Sequence, residues 1–288
     1  MNHSDLFAFV RLDSIKNLIR AKEIKNQADI AKLQEKEYLI GFTYDELKEI
    51  LPERVTENIC YNNGFNKTFY YDQDKYILFP IQMYGKSALK PFDEFGTEII
   101  LRAQMIESDM GQDNYFSAMI SLNDKMRMEM LNILIENDKL KNPYPLFVSF
   151  YPTADYGCSE LSLNAIKKLQ NAKSNEENQK TQDVLRDMPE QITVYRGQGD
   201  KSSEWQQAVS WTTDINTANF FAARMQGDSA NIHIAEVDKS DIIEYFTGES
   251  ECIILPETIR YKNSIELYGH DFIEQYIPKV ADQYKTYR

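Results

Sequence analysis

Apolar residues follow two different periods along this chain, helical at first and largely two-residue later. In SIKNLIRAKEIKNQ (Ser14–Gln27), Ile15, Leu18, Ile19 and Ile24 fall near helical spacing, with Lys16, Arg20, Lys22 and Lys25 mostly on the other face. Those cations read as a solvated helix face, or as a patch for an acidic partner or RNA. Thr43–Leu51 reads as a helix with Thr43 as N-cap, Glu46 three residues on as in a capping box, and Pro52 as its stop. From Phe65 to Tyr84 the residues turn aromatic and β-branched, split at Asp72-Gln73-Asp74, which predicts a hairpin. Its Phe and Tyr residues suit the core of a small sheet, or else a base-stacking platform.

Thr97–Met105 and Ser121–Glu136 read as helices, and Met126, Met128 and Met130 as adaptable packing or a partner groove. Leu146–Tyr151, between Pro145 and Pro152, predicts a buried strand or an irregular core segment. Ser159–Gln170 predicts a helix with Leu161, Leu163, Ile166 and Leu169 at its apolar positions. Asn171–Gln182, with Ala172 as its one apolar residue, predicts a flexible loop or exposed helix end and is the best late linker. Strands then follow at Ile192–Tyr195, Ser210–Thr212, Ala230–Asp238 and Cys252–Leu255. A helix over INTANFFAARM, capped by Thr213 or Asp214, lies among them.

Composition narrows the picture. The 288 residues are 42% hydrophobic and carry a formal charge of −13, with a pI near 4.8. That balance opposes broad binding to nucleic acid or anionic membranes, which needs a positive surface. Cys60, Cys158 and Cys252 form no CxxC pair, and His3, His233 and His270 have no metal-ligand spacing, so neither a disulfide framework nor a metal site is expected. No secretory signal or membrane span is read, so the expected location is a reducing cytoplasm, with an injected effector as the alternative.

The candidate chemistry lies in the last third. Arg196 is placed at the end of the Ile192–Tyr195 strand, before Gly197 and Gly199, where backbone can approach a phosphate-bearing ligand. In Ser210-Trp211-Thr212 the two hydroxyls share one face and the indole takes the other. In Gly248–Pro256 (GESECIILP), Glu249 and Glu251 flank Ser250 at the mouth of a buried strand. If the segment is extended, both carboxylates point the same way. Taken singly, these motifs also fit a surface arginine before a turn and a solvated acidic turn.

Together and in order, VYRG, SWTTD followed by A..FFA, and E-x-E-x-I-I-L-P resemble the R-S-E class of mono-ADP-ribosyltransferases, over roughly Glu160 to Lys262. The resemblance implies an α+β fold: a two-sheet ADP-ribosyltransferase core in residues 151–288, after a mostly helical region, 1–150, with a small hairpin. That first region lies outside the resemblance and reads as a separate domain, a degenerate second copy of the catalytic fold, or a docking surface for an antitoxin or chaperone. The resemblance implies NAD as co-substrate and no metal. Arg196 would contact an NAD phosphate, Gly197 would hold the nicotinamide amide through its backbone, and Ser210 would orient Glu251. Glu251 would bind the nicotinamide ribose and stabilise its positive charge, while Glu249 would position or deprotonate the acceptor. Phe246 or Tyr245 would face the acceptor, Phe220 or Phe221 would back the nicotinamide pocket, and Thr212 would line the cofactor site. The middle motif departs from the family's Ser-Thr-Ser, with Trp211 at its centre expected to face the core.

By the same resemblance, glutamate at position 249 implies transfer to arginine on a protein, and the chain would be an intracellular toxin held by an antitoxin, an injected effector or a phage enzyme. The competing readings are a toxin or phage-defence enzyme that modifies RNA, an inactive NAD- or partner-binding module, and a glycosidase built on the two glutamates.

Overall fold

The computed structural model describes residues 15–26, 29, 43–62, 67–81, 92–122, 124–154, 158–199, 202–224 and 230–267. The chain divides into two compact units, Met1–Leu161 and Ser162–Arg288. The break falls beyond the expected boundary at 150/151, just before the serine that caps the next helix.

The first unit is built on a four-stranded antiparallel sheet in the order β1-β2-β3-β4. Its strands are β1 (Leu18–Arg20), β2 (Ile59–Asn62), β3 (Lys67–Asp72) and β4 (Ile77–Ile81). The expected hairpin is β3–β4. Phe65, Met83 and Tyr84 lie outside the described residues, and β1 and β2 extend the hairpin into a sheet. The helix expected over Ser14–Gln27 is not formed among the described residues. Two 3-10 turns, Ile15–Asn17 and Ala21–Glu23, flank β1, which pairs with β2 in register Ile19↔Tyr61. Long-range pairing overrides a weak helical pattern here. Of the four cations, Lys16 pairs with Glu160, and Arg20 donates to the Tyr71 carbonyl at 2.6 Å.

Helix α1 (Tyr44–Ile50) carries the predicted capping box: the Glu46 amide donates to the Thr43 hydroxyl, and the Glu46 carboxylate accepts from the Thr43 amide. After α2 (Glu53–Thr56) and the strands come α3 (Phe92–Gly111), α4 (Tyr115–Ile120) and α5 (Asp124–Glu136). Phe69, Tyr70, Tyr71 and Phe79 are buried, so these aromatics build core and are not an exposed stacking platform. Met126, Met128 and Met130 are buried too, as packing requires. Leu146–Tyr151 is neither strand nor irregular: α6 (Tyr144–Phe150) is a helix that runs into the 3-10 turn Tyr151–Thr153. Pro145 sits in its first turn, where a missing N–H costs nothing. A short run with five apolar residues and Ser149 cannot by itself tell a buried strand from a buried helix.

In the second unit, the helix expected from Ser159 starts later. Ser162 caps α7 (Leu163–Ala172), Ile166 and Leu169 are buried, and Leu163 is exposed. The expected linker is itself helical: α8 (Asn175–Leu185) starts from a second capping box, Ser174 with Glu177. Thr181 and Leu185 provide its buried face. The sheet has the order β10-β7-β5-β6-β9-β8 and all its pairs are antiparallel. Its strands are β5 (Gln191–Gly199), β6 (Ser210–Thr212), β7 (Ala230–Asp238), β8 (Ile242–Phe246), β9 (Glu251–Ile254) and β10 (Arg260–Leu267), with α9 (Ile215–Arg224) between β6 and β7.

The expected two sheets are therefore one sheet in two halves, β10-β7-β5 and β6-β9-β8. A single pair, Tyr195↔Thr212, joins them. One such pair is worth only about 1 kcal/mol net. Side chains from both halves share one core: Ile192, Val194 and Val237 meet Trp211, Ile242 and Ile254. Each buried Ile or Val contributes roughly 1.5–3 kcal/mol, so the core, not the ladder, holds the halves together.

Lys173 closes the α7–α8 corner onto β8. Its ammonium is buried and donates to Thr181 Oγ1 (2.7 Å), the Ile243 carbonyl (2.6 Å) and Glu244 Oε2 (3.1 Å). Removing one partner of such a pair strands a buried charge. Lys173→Met should cost about 3–5 kcal/mol in urea unfolding, and adding Glu244→Leu should recover most of it. A single variant within about 1 kcal/mol of wild type would refute the clamp.

Candidate active site

The β8–β9 hairpin turn, Thr247–Ser250, carries the first glutamate, and β9 begins with the second. Ser250 takes a left-handed backbone, φ 51°. The segment is therefore not extended, and the two-residue alternation expected to align Glu249 with Glu251 does not apply across it. Three hydroxyl and amide contacts hold this uncommon conformation. Thr212 Oγ1 donates to the Glu249 carbonyl (2.8 Å) and reaches the Ser250 carbonyl (3.1 Å), while the Thr213 amide donates to Ser250 O (2.9 Å). Thr212 is buried and its hydroxyl is committed to this turn.

The register of β6 on β9 does the rest. Thr212 lies opposite Glu251, and Ser210 opposite Ile253. Two positions apart on one strand, Ser210 and Thr212 share the Glu251 face. The Ser210 hydroxyl donates to Glu251 Oε1. Trp211 points into the core, 1% exposed, with its indole N–H on the Ala208 carbonyl at 3.2 Å, which accommodates the departure from Ser-Thr-Ser. Phe246 lies opposite Glu251 on β8, and the Tyr245 hydroxyl is 3.2 Å from Thr213 Oγ1. Both expected acceptor-side aromatics thus flank the glutamate hairpin.

Arg196 is not at a strand end. β5 runs three residues past it, and Arg196 lies mid-strand opposite His233 of β7. Its guanidinium donates from Nη1 to the Ser210 carbonyl (2.9 Å), and from Nη2 to Ser203 Oγ (2.9 Å) and Ser203 O (3.3 Å). Arginine and glutamate are thereby linked through one serine, by its backbone on one side and its hydroxyl on the other.

Gly197 is glycine for a different reason from the one expected. A Cβ there would lie 1.9 Å from the Ala218 carbonyl oxygen and 2.5 Å from the Ala222 amide. Helix α9 packs its backbone onto β5 at this residue, so the close approach is to a helix. The Asp214 carboxylate starts that helix, accepting from the Asn216 amide at 2.9 Å. Phe220 and Phe221, an edge-to-face pair with centroids 5.4 Å apart, ride on α9 beside β5 and not on the strands that carry Ser210 and Glu251.

Two residues that the sequence did not single out complete the arrangement, Ser203 and His233. His233 is 7% exposed, and among the described residues neither ring nitrogen has a hydrogen-bond partner. Each unmet buried group costs about 1–3 kcal/mol. Burial, and next the Arg196 charge, push its pKa below the ordinary histidine value, against a smaller opposing pull from Glu204. Only the β5–β7 register brings this histidine to Arg196, so spacing along the chain could not reveal it. Among the described residues no three His, Cys, Asp or Glu side chains gather where a metal ion could be held, and no helix is long and apolar enough to cross a membrane. No family model, curated protein or solved structure matches this chain.

Gly197→Ala should cost about 3 kcal/mol in chemical denaturation, because backbone must move, whereas Gly248→Ala, with nothing within 4 Å, should stay within about 0.5 kcal/mol. Equal costs would show that α9 does not set the glycine. For His233 the folded state favours the neutral ring. Its contribution to stability is complete above the unfolded value near 6.5 and is lost as pH falls through the lowered folded value. Melting curves between about pH 5 and 7 should show that loss in wild type and a flatter profile in His233→Phe. A variant profile as steep as wild type would contradict it.

Proposed function

We propose that this chain is a mono-ADP-ribosyltransferase that cleaves NAD and passes ADP-ribose to arginine on a target protein. The observation that carries the reading is the hydrogen bond from the Ser210 hydroxyl to Glu251, with the Arg196 guanidinium on the carbonyl of the same serine. It joins in space the three motifs whose order along the chain suggested the class. Breaking the glycosidic bond sends its electron pair out with neutral nicotinamide and leaves positive charge on the ribose. A fixed carboxylate lowers the energy of that charge, and Ser210 fixes Glu251. The acceptor guanidinium then forms the new bond to ribose C1′ through a nitrogen and gives its proton to Glu249, a role suited to a second carboxylate held on a turn. The −13 charge favours encounter with a basic protein over a nucleic acid.

Incubation with labelled NAD and a whole-cell lysate should leave label that protease removes and RNase does not. Glu251→Gln should cut nicotinamide release about 10²–10³-fold, the scale of losing one fixed electrostatic group. Ser210→Ala should cut it about 10-fold or more, since a hydrogen bond to a charged group is worth about 1.5–3 kcal/mol. Glu249→Gln should stop transfer while sparing much of the cleavage of NAD. Label removed by RNase would make RNA the acceptor. No nicotinamide release from wild type would overturn the enzyme reading.

A further inference from the structure

We propose that His233 and Arg196 together form a binding site for the phosphate oxygens of a ligand, closed in this structure by the turn Ser202–Gln207 with Ser203 in the ligand's place. The identification of that ligand as a dinucleotide rests on the transferase reading; the anion chemistry does not. The two side chains come from neighbouring strands at directly opposed positions, and so stand on one face of the sheet.

The two side chains bring different chemistry to that face. The imidazole is buried with a donor and an acceptor both unmet among the described residues, a state that calls for a specific explanation. The guanidinium donates to the Ser210 carbonyl at 2.9 Å, and to the Ser203 hydroxyl and carbonyl at 2.9 and 3.3 Å. A phosphate would replace the two Ser203 contacts with stronger, charge-assisted ones and offer a further oxygen to the His233 N–H.

The covering turn is held by hydrogen bonds to β5 and by ring packing. Its 3-10 segment, Trp205–Gln207, has no side-chain cap. Gln198 of β5 accepts from the Trp205 amide at 3.1 Å and donates to Glu204 at 3.2 Å, and Ser202 hinges the turn on Gly199, its amide donating to the Gly199 carbonyl at 2.9 Å and its hydroxyl accepting from the Gly199 amide at 3.1 Å. Trp205 roofs the histidine, its ring 6.1 Å from the imidazole and stacked on Tyr261 at 4.3 Å. Glu204 stands exposed on the same turn, and its carboxylate would repel an incoming phosphate until the turn moved away. Bound anion and closed turn are therefore mutually exclusive.

Calorimetric titration of the full chain with ADP tests this without any turnover. Wild type should bind. His233→Phe should weaken binding about tenfold, the worth of one hydrogen bond to a charged group, and His233→Gln, which keeps an N–H donor, should recover part of it. Ser203→Ala should tighten binding about two- to fivefold by weakening the closed state. With three histidines in the chain, the His233 ring signals can be followed by NMR, and they should shift on addition of ADP. This measurement decides the matter if the Phe variant fails to fold. No ADP binding by wild type, an unmoved His233 signal, or wild-type affinity in both His233 variants would overturn the proposal. ADP bound through His233 without nicotinamide release from NAD would instead defeat the transferase reading and leave this site standing. Nicotinamide release that no His233 variant alters would do the reverse.

Discussion

The register of a three-residue strand is the constraint on which the candidate site depends. β6 contributes only Ser210, Trp211 and Thr212, yet each makes a different kind of contact. Ser210 orients a carboxylate, Trp211 anchors the strand in the core, and Thr212 pins the turn that holds the other carboxylate. A slip of one residue would send the indole to the glutamates and both hydroxyls into the core. Burial of Trp211 makes that slip costly, so a residue foreign to the expected motif serves to fix the motif's geometry.

The sheet around this strand is joined through side chains more than backbone. Only Tyr195↔Thr212 bridges its halves, at the place where Arg196 leaves one half to reach the Ser210 carbonyl of the other. A continuous ladder would fill that seam with backbone pairs. The sparse joint leaves polar groups of β5 and β6 to meet side chains instead, which is how one serine comes to serve both an arginine and a glutamate. Stability is recovered beside the seam, by α9 packed without clearance on Gly197 and by the shared core. Lys173 and Glu244 add a charged clamp on the strand that leads into the glutamate turn.

The first unit has its own logic. Its sheet buries tyrosines and phenylalanines, with the Tyr70 and Phe79 rings stacked 5.1 Å apart across β3 and β4. A buried Glu129 on α5 ties down the start of the described chain, accepting from the Ile15 amide at 2.7 Å. That contact spans 114 positions, and it helps explain why the amphipathic pattern from Ser14 onward does not become a helix: its backbone donors are satisfied by tertiary partners.

By itself the sequence determined whatever local chemistry decides. The Thr43–Glu46 capping box, the β3–β4 hairpin, the β7 strand and the inward-facing Trp211 follow from capping, turn residues and alternation, which act within a few positions. It also marked Arg196, Ser210, Glu249 and Glu251 as candidates, from the order of the motifs. Tertiary structure decided everything that needs a partner far along the chain. It turned Ser14–Gln27 into strand and turns, because β2 was there to pair with it. It buried Thr181 of the largely helical Asn171–Gln182 against Glu244, 63 positions on, where the apolar-poor sequence suggested a loop or exposed helix end. It gave Gly197 a helix as neighbour, set Ser250 into a left-handed turn, and placed His233 beside Arg196. Those outcomes depend on register and close approach between distant segments, and spacing along one chain carries no measure of either.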